Sequence, residues 1–181
     1  MGVLTALSLS AILFFGPSTK AYLSELQVSL EGRSVEVSFE LIDGFSDQLF
    51  ERIQTGLPSG FTFEFALARD QKRLPDNRIA RSTLEVIAMY NAVTREYLIN
   101  YKQDGKLIDS RIARGREELE AAMTKFEGLT VFHLDDISPE KRLLVRARAE
   151  LGSKTTLLII PSRITTDWSR SRNFSAPPTE P

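Results

Sequence analysis

Period-two alternation constrains this chain more than any other feature. Val35, Val37, Phe39 and Leu41 are separated by Glu36, Ser38 and Glu40. Phe61, Phe63, Phe65 and Leu67 repeat the pattern against Thr62 and Glu64. Leu84, Val86, Ala88 and Tyr90 follow, then Tyr97, Ile99 and Tyr101. Leu143, Val145, Ala147, Ala149 and Leu151 alternate with Arg146, Arg148 and Glu150. A strand turns successive side chains to opposite faces, so each run predicts a strand with one face on a core and one in water. Segments 22–31, 106–113, 129–134 and 155–160 carry weaker strand signals. Glu31-Gly32-Arg33, Asp104-Gly105 and Leu151-Gly152-Ser153 stand where hairpin turns are needed.

Two stretches break the alternation. After Phe45, Ser46 is placed as an N-cap with Asp47 in the first turn, and Phe45 and Phe50 hold the two positions of a hydrophobic staple. Gly56 is expected to end that helix. A second helix is expected over 115–127, where Leu119, Ala122, Met123 and Phe126 form one apolar stripe closed by Gly128. Such a stripe reads as core packing. The fold expected is mainly β: an antiparallel β-sandwich-like or strongly curved sheet of about nine strands with two short covering helices. The connections read as a meander with helical crossovers.

With 181 residues, 42% of them hydrophobic, the chain is expected to form one domain over residues 22–174. Residues 175–181 form a proline-rich tail that reads as disordered. The absence of cysteine removes disulfide scaffolds, cysteine-zinc sites and thiol nucleophiles. A net charge of -1 gives no general field for nucleic acid, which is not expected as a partner.

Residues 1–21 read as a signal peptide or a short N-terminal apolar segment. Val3–Phe15 is mostly apolar, Gly16-Pro17 breaks it, and Ala21 precedes a possible cut before Tyr22. Thirteen helical residues would reach only about 20 Å, short of a bilayer core. No Lys or Arg precedes the run. The expectation is an exported, periplasmic or extracytoplasmic protein, membrane-associated if the segment is kept.

Arg69, Lys72, Arg73, Arg78 and Arg81 form the densest basic run. It reads as a solvated hairpin end, with weak contact to anionic lipid as the alternative. Arg146 and Arg148 share one strand face and are expected to pair with acids such as Glu85 or Glu96. Trp168, the single tryptophan, is expected to anchor the last segment onto the core or to serve as a binding hot spot. These basic residues and Trp168 are the candidate interaction residues.

Ser138 and Lys141 fit an S-x-x-K pattern, but Pro139 makes Ser138 a helix-cap residue. His133 beside Asp135 and Asp136 reads as a structural histidine. No catalytic residue, metal site or cofactor is assigned.

Several of these segments together resemble the bacterial family called domain of unknown function 4390. They are Gly56-Leu57-Pro58 before Phe61–Phe65, Arg78-Ile79-Ala80 before Thr83-Leu84-Glu85, and Thr94-Arg95-Glu96-Tyr97. The helix around Glu118–Met123, the strand Val145–Leu151 and Thr165-Thr166-Asp167-Trp168 complete the series. The loop Asp70–Leu74 lacks the family's aromatic residues, and the stretch Gly152–Asp167 is shorter than in many members. The resemblance implies an exported β-rich protein without an established activity, from a family with members encoded beside membrane sensor kinases. The leading expectation is a non-enzymatic binding domain with a protein partner at the cell envelope. The alternative is an accessory factor of a sensor-kinase system, and a hydrolase using Ser138 or His133 comes third.

Overall fold

The computed structural model describes residues 20–70, 77–134, 142–155 and 161–176. In chain order these form β1 (Tyr22–Leu23), β2 (Gln27–Glu31), β3 (Ser34–Ile42), α1 (Asp47–Gln54), β4 (Ser59–Arg69), β5 (Asn77–Asn91) and β6 (Glu96–Gln103). Next come β7 (Lys106–Ala113), α2 (Arg116–Thr124), β8 (Lys125–His133), β9 (Arg142–Thr155), β10 (Pro161–Thr165), β11 (Ser169–Arg170) and β12 (Phe174–Ser175). The mainly-β, sandwich-like fold expected from the alternation is what the chain adopts.

The small sheet is built on β3. β1 and β2 follow one another along one edge of it, and β8 pairs with the other. The large sheet runs β10-β9-β4-β5-β6-β7, all antiparallel, with β11 and β12 continuing along β9. β4 to β7 form the expected meander. The chain then crosses through α2 and β8 before β9 returns to pair with β4.

The core fills the space between the sheets. Val35, Val37, Phe39 and Leu41 face it from β3, and Phe61, Phe63, Phe65 and Leu67 from β4. Phe39 bridges the layers, with its ring 5.3 Å from Phe63, 5.6 Å from Phe65 and 4.9 Å from Phe126. Phe63 is fully buried. Its truncation to alanine would cost about 3–5 kcal/mol.

α1 forms as its sequence directs. Ser46 Oγ accepts from Leu49 N at 3.2 Å, and the Phe45 and Phe50 rings stand 6.2 Å apart. α2 is shorter than expected. It ends at Thr124, and Phe126 belongs to β8. Leu119, Met123 and Phe126 are buried as the stripe implied. Gly128 does not cap the helix. With φ +61° it lies where two residues of β8 oppose Ser38, so it makes a β-bulge.

The Asp104-Gly105 turn has positive φ at both residues, +48° and +81°, as a type I′ hairpin requires. Gly152 is no turn. β9 continues through it, and the register against β10 shifts there. Of the proline-rich tail, Ser175 pairs with Arg142 and Ala176 is buried, so disorder does not begin at 175. Residues 177–181, the signal-like 1–19 and most of the expected strand 155–160 lie outside the described residues.

Candidate functional site

The large sheet has a second face, turned away from the core. On β4 that face carries Thr62, Glu64, Ala66 and Ala68, of which all but Glu64 are small. The flanking strands carry long ones. Register places Arg81 of β5 and Arg146 of β9 on either side of Ala66. One step along, Thr83 and Arg148 flank Glu64. A further step on, Glu85 and Glu150 flank Thr62. Small residues between long ones make a trough. It is a cleft of about 650 Å³ whose lining includes Ala66, Ala68, Arg78, Arg81, Arg146 and Trp168.

Trp168 reaches this face because the edge strand is interrupted. Between β10 and β11 the chain leaves the ladder, and Thr166 supplies the missing contacts. Its N donates to Ala149 O at 2.8 Å, and its Oγ1 accepts from Ala149 N at 2.9 Å. The break frees Asp167 and Trp168 from strand geometry. The Arg146 and Arg148 guanidinium carbons lie 5.1 and 4.8 Å from the Trp168 ring centroid. Each contact of this kind contributes about 0.5–1 kcal/mol at an exposed site. Arg148 also grips Glu64 through Nε and Nη2, at 2.8–3.1 Å.

Among the described residues four guanidiniums line the cleft (Arg78, Arg81, Arg146 and Arg148) against the carboxylates of Glu64 and Glu150. Arg81 and Arg146 have no ion-pair or hydrogen-bond partner among the described residues.

The structure divides the expected basic cluster. Arg78 and Arg81 enter the cleft with Trp168. Arg69 does not. It is registered against Leu143, a core residue, so it lies on the opposite face, with Nε buried and unpartnered among the described residues. Lys72 and Arg73 lie outside the described residues. Trp168 anchors to two arginines rather than to the core, and it is 38% exposed. The acid that pairs with Arg148 is Glu64, not Glu85 or Glu96. Glu96 is on β6, three strands from β9, and is held by Arg114 at 2.8 Å.

His133 is exposed, with Nδ1 3.1 Å from Ser34 Oγ. Asp135, Asp136, Ser138 and Lys141 lie outside the described residues. Among the described residues no group of three His, Asp or Glu could hold a metal ion, and no helix is long and apolar enough to cross a membrane.

A second cleft, about 590 Å³, opens between β7 and β8 and is lined by Tyr101, Ile108, Arg111 and Phe126 among others. Burial there pushes the Tyr101 hydroxyl above its ordinary pKa. That hydroxyl donates to Ala122 O at 2.7 Å, which ties α2 to β6 and fixes a structural role for it.

The family described as Domain of unknown function (DUF4390) matches residues 18–175, most of the chain, and the chain belongs to it. Neither the curated proteins nor the solved structures yield a match.

Proposed function

We propose that this family member acts by binding, as an exported domain that holds a protein partner in the cell envelope without catalysing a reaction. The carrying observation is the cleft on the outer face of the large sheet. Its dominant side chains are guanidiniums, which stay protonated and recognise charge rather than exchange protons. An indole beside them supplies the amphipathic surface that binding sites favour.

The export half of the proposal draws on the apolar start of the chain and on where the fold begins. β1 opens at Tyr22, so a cut after Ala21 leaves every described strand intact. It removes the exposed Lys20–Asp167 ion pair and the buried Ala21. An exposed pair of this kind contributes little.

The test is crosslinking and recovery from envelope fractions of the native cell, with N-terminal sequencing of the recovered protein. A start at Tyr22 and one enriched partner support the proposal. A sensor kinase as that partner specifies the domain as an accessory factor of signalling. A Met1 start in the soluble fraction, with no partner, overturns it.

A further inference from the structure

Resting on the binding role proposed above, we infer that the outer-face cleft holds an acidic peptide segment, clamped between Arg81 and Arg146. Both arginines stand opposite Ala66 in neighbouring strands, so their backbones are two strand spacings apart, roughly 10 Å. The floor between them is a single methyl group. A carboxylate entering there meets a guanidinium from each side and displaces no partner among the described residues.

The Trp168 ring positions one of these guanidiniums. A cation–π contact uses none of a guanidinium's N–H donors, so they stay available to an anion. Arg146 is half-buried beside the indole and spends none of those donors on the described residues. Arg148, next along β9, shows the pattern completed. It contacts the same ring and also grips a carboxylate, that of Glu64.

The charge along the trough is polarised, and this favours a peptide over a membrane. Arg78, Arg81 and Arg146 crowd the end at Ala66 and Ala68. Glu85 and Glu150 flank Thr62 at the other end. Residues 62 to 68 span roughly 20 Å, the length of about six extended residues. A uniformly anionic lipid surface would meet the carboxylate end as well. A peptide can seat a few acidic side chains on Arg78, Arg81 and Arg146 and leave the carboxylate end uncovered, which an extended lipid surface cannot do.

The probe is fluorescein-labelled hexaglutamate, with hexalysine and phosphatidylglycerol vesicles as comparators. Binding is read by anisotropy and by the emission of Trp168, which reports on the cleft because the chain has one tryptophan. Saturable hexaglutamate binding is expected. The double variant Arg81→Gln/Arg146→Gln should weaken it at least about tenfold. Ala66→Leu should block it without changing any charge. Arg52→Gln and Lys106→Gln, exposed and distant from the cleft, should leave it unchanged. Far-UV circular dichroism verifies that each variant is folded.

Equal losses in the distant controls, full binding by folded Ala66→Leu, or no binding by the wild type overturn the inference. Vesicle binding that needs Arg81 and Arg146 and is not displaced by hexaglutamate also overturns it, in favour of a lipid headgroup. If the double variant still crosslinks to the envelope partner, the cleft inference fails and the binding role stands. If hexaglutamate binds as expected and no envelope partner exists, the reverse holds.

Discussion

Arg148 and Glu64 meet face to face across β9 and β4, and each side chain is about one-third exposed. Their Cα atoms are direct partners in the ladder, so the ion pair follows from register. Partial exposure screens it. Removing either partner should cost less than about 1 kcal/mol, and the double-mutant coupling energy should be about 0.5–1 kcal/mol. Urea denaturation of wild type, Glu64→Gln, Arg148→Gln and the double variant measures it. A coupling of zero would mean that the pair does not form in solution.

Glu64 also competes with any acidic ligand for Arg148. Glu64→Gln removes the internal carboxylate and leaves Arg148 against the Trp168 ring. Hexaglutamate should therefore bind more tightly to Glu64→Gln than to wild type, although no residue has been added. Anisotropy titration decides this, and weaker binding would place Glu64 among the groups that hold the ligand.

Gly60 is required by a close approach. A Cβ at this position would stand 1.8 Å from Val86 O, a backbone atom of β5. Gly60→Ala must push the two central strands apart and should cost roughly 3 kcal/mol. At Gly105 a Cβ meets nothing within 4 Å, but φ is +81°. Gly105→Ala should cost about 1 kcal/mol, for conformation alone. Thermal unfolding should rank Gly60→Ala well below Gly105→Ala, and the opposite order would contradict the register of β4 on β5.

Asp70 fastens the end of the chain to the hairpin. Its carboxylate accepts from Asn173, and Arg170 stands 3.2 Å away. The Asn173 hydrogen bond and the charge of Arg170 hold its pKa below the ordinary 3.8. The stability this contributes is present above the unfolded pKa and is lost as pH falls through the lower folded value. Wild type should therefore lose stability as pH falls below about 4, and Asp70→Asn should lose less over the same fall. Chemical denaturation across the range tests it, with equal acid sensitivity as the contrary outcome.

Core positions were legible because a period of two maps directly onto burial. Val35 to Leu41 and Phe61 to Leu67 needed no knowledge of their partners. The end of α2 was not legible, since Met123 and Phe126 satisfy a helical stripe and Phe126 also fits the strand that follows. Gly128 suits a helix end and a bulge equally well. The cleft was half legible. Arg146 and Arg148 were readable as sharing a face, but their neighbours depend on β9 pairing with β4. That contact joins residues 84 positions apart in the chain at Glu64 and Arg148, and no local pattern encodes it. Trp168 reaches the face through a break in a strand, which periodicity cannot reveal.

The broken edge has one more effect, on how the molecule meets copies of itself. β10, β11 and β12 complete the pairing of β9 piece by piece, and Thr166 and Ser171 hydroxyls accept from β9 amides at the gaps. The outermost rim is thus split into runs of five, two and two residues. A foreign strand finds no long row of amides and carbonyls to copy. At the opposite rim β7 is continuous, but it bears Lys106, Asp109 and Arg111 and is bulged at Ile108. The first rim resists fibrillar growth by interruption, while the second sets charge and a bulge against the exposed Leu107, Ile108 and Ile112.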